Sequence, residues 1–313
     1  MKRAIATLGL VLLAATPTAA AEVTAMSFNV WGAGGNEGKP VDETVAAIKA
    51  AGADIIGIQE TRLEGPDCTA ESCPPQGESV AGKLAAALGF HVYEQAATNE
   101  ALWSNAILSR WPIKGASAND LGVRIDMDGK EIVAFNLHLD DAPYQPYQLL
   151  SIEYGPYPFL KTAGEAVASA AETRGAALKL FESDLASFAG DAPVLIFGDF
   201  NEPSHLDWTE AAAKAGTQPL AVAWPVSTRI QELGFTDAFR AIHGDPVARP
   251  AFTWTPTSEP TDPEDHHDRI DFVYARGGKV LDAGIAGEKA PEADLVVTPW
   301  PSDHRSVYAR MDF

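Results

Sequence analysis

Val194-Leu195-Ile196-Phe197-Gly198-Asp199-Phe200-Asn201-Glu202-Pro203 is the stretch around which the chain is organised. Its first four residues are apolar, three of them β-branched or aromatic, and read as a buried strand. Gly198 to Asn201 carry that strand into a turn, which Pro203 ends. A carboxylate and a carboxamide two residues apart on extended chain point to the same face. A strand that only packs has no use for two polar groups there, since burying each unpaired costs about 2 kcal/mol or more. Asp199 and Asn201 therefore either cap a turn or form one wall of a site.

The rest of the 313-residue chain narrows the choice. Lys2 and Arg3 precede an apolar run from Ala4 to Ala15, and Thr18 to Ala21 are small residues suited to cleavage after Ala21. Residues 1–21 thus read as a secretory signal peptide of bacterial type, too short to span a bilayer, which directs the chain to the periplasm or the medium. Cys68 and Cys73 lie in a Gly/Pro-rich loop, and in an oxidising compartment they read as a local disulfide pinning it. The net charge of −20 becomes −22 once Lys2 and Arg3 leave, with 21 basic residues against 43 acidic. No Lys/Arg stripe offsets it, which disfavours a nucleic-acid partner.

Alternation and turn signals predict strands over 22–30, 54–60, 90–93, 104–109, 121–126, 132–138, 252–254, 270–274, 280–285 and 306–311, with a hairpin turn at Asp128-Gly129. Helices are expected over 41–51, 79–88, 162–189 (broken near Gly164 and Gly175) and near 208–215. Residues 140–158 read as an ordered loop and 216–250 as looser chain. Two strand-rich halves, each carrying helices, predict an α/β (α+β) fold: a four-layer sandwich of two packed, mostly antiparallel sheets with helices on the outer faces. A single domain over 22–313 fits best, without internal repeat or clear linker.

Several predicted strands end on a polar residue: Asn29, Glu60, His138, and Asp199 with Asn201. Asp271 opens a late strand and Asp303-His304 precedes the last one. An oxygen-rich, His-poor set of this kind suits Mg²⁺ better than zinc. Each residue has a plainer reading alone: Asn29 as a turn former, His138 as a half-buried histidine, Asp271 paired with Arg269, Ser302-Asp303-His304 as turn chemistry.

Ser-Phe-Asn29-Val-Trp, Ile-Gln-Glu60-Thr, Asn-Leu-His138-Leu, Gly-Asp199-Phe-Asn201, Arg-Ile-Asp271-Phe-Val and Ser-Asp303-His304 resemble, in order, the motifs of the endonuclease/exonuclease/phosphatase superfamily with its DNase I-like fold. Asn105-Ala-Ile-Leu-Ser-Arg-Trp-Pro is similar to a further strand of that family, and the likeness runs from about residue 23 to the end. The resemblance implies a metal held by Glu60 with Asn29 close by and Asp303 helping through water, Mg²⁺ first and Mn²⁺ or Ca²⁺ as alternatives. It implies Asp199 as the group that orients or deprotonates water, and Asn201 as a donor to a phosphate oxygen. His304 would contact the scissile phosphate, Asp271 would orient it, and His138 would protonate the leaving group, as in the nuclease and sphingomyelinase-like branches.

Four further residues are candidates for the substrate or a second metal. His266 and His267 lie in an Asp-His-His-Asp run that is either a rim or metal site or a solvated loop. Arg174, like Arg62, either helps to hold phosphate or sits on the surface. Tyr144, with Tyr147, Tyr154 and Tyr157, either walls the substrate or stiffens its loop. The family acts on nucleic acids, sphingomyelin, inositol phosphates and small nucleotides, so the fold does not fix the substrate. The acidic composition favours a secreted phosphoesterase for a small-molecule or lipid head-group phosphate. A DNase I-like extracellular nuclease is the runner-up, and a non-catalytic binding module with the same fold the third reading.

Overall fold

A computed structural model describes residues 22–313; the expected signal peptide, 1–21, lies outside the described residues. In chain order the strands are β1 (Glu22–Asn29), β2 (Ile55–Gln59), β3 (His91–Gln95), β4 (Asn105–Ser109), β5 (Ile113–Ala116), β6 (Gly122–Met127), β7 (Lys130–His138), β8 (Val194–Asp199), β9 (Thr236–Asp237), β10 (Asp271–Arg276), β11 (Lys279–Gly287), β12 (Leu295–Val296) and β13 (Ser306–Asp312). The helices are α1 (Val41–Ala51), α2 (Ala81–Leu88), α3 (Gln145–Leu150), α4 (Ala163–Phe188), α5 (Glu210–Ala215), α6 (Pro225–Glu232) and α7 (Ala238–Ile242).

The strands form two sheets, ordered β12-β11-β13-β1-β2-β4-β3 and β5-β6-β7-β8-β10-β9. Most pairs are antiparallel. The exceptions are β1/β2, β7/β8 and the short β11/β12. A parallel pair needs a crossover, and α1 supplies it between β1 and β2, as α3 and α4 do between β7 and β8. Four layers result. Val45, Ile48 and Leu84 of α1 and α2 pack on the outer face of the first sheet, against Phe28, Ile56 and Leu108. Phe181, Leu185 and Ile230 of α4 and α6 cover the second, against Phe135, Ile196 and Phe272. Between the sheets lie Ile55, Ile107, Leu195, Phe197, Val273 and Val307. This is the expected sandwich.

Strand parity makes the site. With both faces of β8 buried, Val194 and Ile196 enter the helix-covered layer while Leu195 and Phe197 enter the inter-sheet layer. Asp199 continues the inward set. The same rule puts Ala25, Ser27 and Asn29 of β1 inward, and Ile55, Gly57 and Gln59 of β2. It also puts Ala134, Asn136 and His138 of β7 inward, and Val273 and Asp271 of β10. In each strand the inward face turns from apolar to polar toward one common edge of the sandwich. Register aligns these ends: His138 and Asp271 both pair with Asp199, and Asn29 pairs with Gln59. Behind them, buried amides tie the sheets together. Gln59 Nε2 donates to Asn136 Oδ1 at 2.6 Å, and Asn136 Nδ2 donates to Ile58 O at 2.9 Å and to Gln95 Oε1 at 2.9 Å.

Several local expectations are corrected. Residues 140–158 contain α3, because Pro146 in a first turn has no amide to lose. α4 is one unbroken helix: Thr162 and Glu165 form a capping box at its start. Gly164 and Gly175 have open space where a Cβ would stand, so each costs only about 1 kcal/mol against a long packed face. The chain from 216 to 250 holds α6, β9 and α7. Residues 252–254 make only single bridges, from Trp254 to Asp268 and His304. Strand β5 was not anticipated; it is a short, half-exposed edge with little pattern to read.

Candidate active site

Asp199 sits at the centre of the polar edge, 1% exposed. Its Oδ1 accepts from the Asn201 backbone N–H at 3.0 Å and its Oδ2 from Asn29 Nδ2 at 3.0 Å. His304 Nε2 lies 3.6 Å from Oδ2 on one side and His138 Nε2 lies 3.7 Å from it on the other. Behind His304, Nδ1 meets Asp271 Oδ2 at 2.9 Å. Asp271 is itself steadied by Thr253, whose Oγ1 accepts its backbone N–H.

Glu60 faces this row from the first sheet. Its Oε1 accepts from Asn29 Nδ2 at 2.7 Å, so one amide holds Glu60 and Asp199 together across the gap between the sheets. Asn29 Oδ1 accepts from the Trp31 backbone N–H, which fixes which way the amide points. Asn29 therefore enters the site through its nitrogen and bridges two carboxylates, while its oxygen is taken by the backbone. Glu60 and Asn201 both hold left-handed backbone, with φ of 55° and 47°, a conformation that costs on the order of 1 kcal/mol or more and gathers at functional positions. Asn201 spends one N–H on Leu139 O at 3.0 Å, leaving one to face the cleft.

The electrostatics are those of crowded acids. Burial pushes the Glu60 carboxyl well up, the Asp303 charge adds to this, and His304 and Asn29 pull it back. Burial pushes Asp303 up to about 6 against the pull of His304. For His304 burial acts downward, but the charges of Asp271 and Asp199 outweigh it and hold the imidazole well above its usual range. Burial and Asp199 push the Asp271 carboxyl up while His304 pulls it down. With acids on two sides, the shared proton belongs on His304. Four carboxylates, Glu60, Asp199, Asp271 and Asp303, thus face two imidazoles. Ligand atoms of Glu60, His138 and Asp199 lie within 4.8 Å of one another, as do those of Asp199, Asp271 and His304, and such clusters can bind a metal.

Residues 26–304 match the model of the Endonuclease/Exonuclease/phosphatase family. The chain belongs to that family. Its fold is shared with an endonuclease/exonuclease/phosphatase family protein from Leptotrichia buccalis (TM-score 0.52, 15% identity, 93% of this chain and 100% of that one). It is shared also with the 3′ phosphatase NExo from Neisseria bound to a product DNA hairpin (TM-score 0.52, 16% identity, 93% and 100%), and with D. rerio TDP2 complexed with single-strand DNA product (TM-score 0.52, 13% identity, 93% and 99%). An uncharacterised Caenorhabditis elegans protein, F14F9.5, is 27% identical over 303 residues, covering 92% of this chain and 90% of its own. Members of the endonuclease/exonuclease/phosphatase family are hydrolases of phosphoester bonds.

Other candidates fall outside the row. Arg174 is fully buried in α4: Nη1 donates to Gln145 Oε1 at 2.6 Å and lies 4.0 Å from Glu202, whose carboxyl burial pushes up to about 7. It locks α3 to α4 and has no reach to a phosphate. Arg62 donates to Gly77 O on the surface. Arg269 pairs with Asp207 and Asp237, leaving Asp271 to His304. His266 Nε2 meets Gln218 Oε1 and His267 Nε2 meets Ser258 Oγ, each at 2.8 Å. Neither joins an acid cluster suited to a metal among the described residues. Tyr144 does line the cleft, but its hydroxyl donates to Asp268 at 2.9 Å. Cys68 and Cys73 are bonded as expected. The sequence reading missed Trp103 and Trp254, which flank His138 and His304 with ring centroids 6.1 Å and 4.9 Å away. It missed Asp268 too, a buried acceptor for Tyr144, Trp208 and Gln218. No spacing marked them, because their partners come from distant segments.

Proposed function

We propose that the chain is a secreted Mg²⁺-dependent phosphoesterase acting on a small-molecule or lipid head-group phosphate. The observation that carries this reading is the row His304–Asp199–His138 at the floor of a cleft of about 600 Å³ whose lining, among the described residues, contains no Lys or Arg. A polyanion such as DNA would meet carboxylates along that wall.

Asp199, its oxygens held by Asn201 and Asn29, orients and deprotonates the attacking water. His304, kept as imidazolium by Asp271, offers Nε2–H to a nonbridging oxygen where negative charge grows. The free N–H of Asn201 is a second donor. His138, on the far side of Asp199, protonates the leaving oxygen. Glu60 and Asp303 would hold the Mg²⁺, with Mn²⁺ or Ca²⁺ as substitutes, and the bound ion would supply charge neutralisation at the phosphate. The residues fit such an ion. The donors are hard oxygens, Glu60 Oε2 is buried without a hydrogen-bond partner, and the four carboxylates carry more negative charge than two imidazoles can balance.

Turnover of bis-p-nitrophenyl phosphate, run beside supercoiled plasmid DNA with and without Mg²⁺, tests the reading. The small diester should be hydrolysed, the activity should vanish with chelator, and His304→Ala should lower it by about 10² or more. Plasmid nicked in preference would favour the nuclease reading. No turnover of any phosphoester under any metal would refute the assignment.

A further inference from the structure

Above the floor the cleft has a second wall, which the hydrolytic chemistry does not use. It is built from Trp103, Tyr144, Tyr147, Tyr154 and Trp254, beside the disulfide loop at Cys68–Cys73. The rings touch in sequence: Tyr144 and Tyr147 edge-to-face at 4.9 Å, Tyr147 and Tyr154 edge-to-face at 6.0 Å. Their polar ends are already committed. Tyr144 donates to Asp268, Tyr147 to Asp265 and Tyr154 to Asp141. The Trp103 indole N–H donates to Cys73 O, and that of Trp254 to Tyr147 Oη at 3.3 Å. What such side chains can still offer a ligand is π surface, and a phenol donating to a carboxylate is more electron-rich than a free one. Glu64, Asp140, Asp141, Glu153 and Glu264 line the same cleft, and among the described residues the two catalytic histidines are its only basic side chains.

An all-acid wall repels a second phosphate and attracts a cation, and aromatic faces attract a cation that lacks strong hydrogen-bond demands of its own. We infer that this wall is a subsite for a quaternary ammonium group carried by the substrate, attached a short chain away from the phosphate that His304 and His138 receive. The spacing is short because Trp103 and Trp254 abut those histidines. The inference rests on the phosphoesterase reading for the placement of the phosphate, and it names the substrate's other end. A primary ammonium would instead seek hydrogen-bond acceptors, several of which the tyrosine hydroxyls already occupy.

Calorimetric titration of the full chain with phosphocholine, its uncharged isostere 3,3-dimethylbutyl phosphate, and phosphoethanolamine tests the subsite without requiring turnover. Phosphocholine should bind about 10-fold more tightly than the isostere, and Asp141→Asn should cut that ratio below about 3-fold. Glu153→Gln provides a second, more exposed substitution should the first disturb folding. Equal binding of phosphocholine and the isostere overturns the subsite, even if bis-p-nitrophenyl phosphate is hydrolysed. Phosphoethanolamine binding as tightly as phosphocholine overturns the quaternary assignment. The 10-fold preference without turnover of any phosphoester would sustain the subsite and sink the hydrolase reading instead.

Discussion

Gly57→Ala should disable the site from within the core. Gly57 lies on the inward face of β2, three residues before Glu60, and faces Phe197 and Asn136 of the other sheet. A Cβ added there would stand 2.2 Å from Phe197 Cβ, 2.6 Å from Phe197 Cγ and 2.7 Å from Asn136 Oδ1. Carbon pairs rest at about 3.5–4.0 Å, so β2 and β8 must part locally by roughly 1.3–1.8 Å. Overpacking of this kind costs about 1–3 kcal/mol. The Gln59–Asn136 bond of 2.6 Å sits beside the clash and would weaken with it. The same displacement carries Glu60 away from Asp199, which Asn29 bridges with bonds of 2.7 and 3.0 Å. A misplacement of about 1 Å in a catalytic array can lower activity by about 10²-fold. Urea unfolding and kcat/KM on bis-p-nitrophenyl phosphate, measured on the same preparation, read both effects. Gly82→Ala is the control: it lies in α2 with nothing within 4 Å of the added Cβ, and should stabilise by about 0.5–1 kcal/mol. If Gly57→Ala proved as stable and as active as the parent, the close sheet contact would not exist. A destabilised but fully active variant would refute the coupling between that contact and the site.

Other perturbations act on separate parts of the molecule. Asp271→Asn removes the negative charge 2.9 Å from His304 Nδ1; activity at pH 8 should fall by about 10²-fold, and the deficit should shrink at lower pH, where solvent protons restore the imidazolium. A loss independent of pH would contradict that role. His266 is kept neutral by burial, which pushes its pKa from 6.5 down to about 4. The unfolded chain therefore binds more protons between those values, and stability should fall as pH drops through this window, by at most about 3 kcal/mol. His266→Gln should flatten that acid limb in urea titrations; an unchanged limb would assign it elsewhere. Reduction of Cys68–Cys73 should cost about 2 kcal/mol of stability. It should also raise KM several-fold with kcat nearly constant, because the loop carries the carbonyl that Trp103 holds. A fall in kcat alone would place the loop's effect in the chemistry rather than in binding.

How far the sequence could be read depended on the range of the signal. Asp199 was visible because an apolar run ending in Gly-Asp is local, and parity alone then gives its direction. The alternation of β1 and the buried runs of β2, β7 and β10 were equally local, so the two sheets and their helical covers followed from pattern. The pairing of His138 and Asp271 with Asp199 was not local. It depends on register between strands tens of residues apart, and the resemblance to a known family brought these residues to one site without giving their pairing. Arg174 shows the opposite failure. A lone arginine on a helix reads as a surface charge, yet here it is sealed by Gln145 from α3, inside a segment read as loop, and by Glu202 beyond β8. The buried acceptor Asp268 was hidden for the same reason, its three donors coming from residues 144, 208 and 218. The direction of the Asn29 amide was hidden as well: the Trp31 N–H that claims its oxygen gives no sign in composition or spacing.

In the proposed mechanism Asp199 drives water onto a phosphoester in a metal-supported site. Steady-state hydrolysis of bis-p-nitrophenyl phosphate by the parent and by Asp199→Asn, at saturating Mg²⁺ and with folding checked by circular dichroism, tests it most directly. The expected result is Mg²⁺-dependent turnover by the parent and a fall in kcat of about 10²–10⁴-fold in the variant. Turnover by Asp199→Asn equal to that of the parent would contradict it.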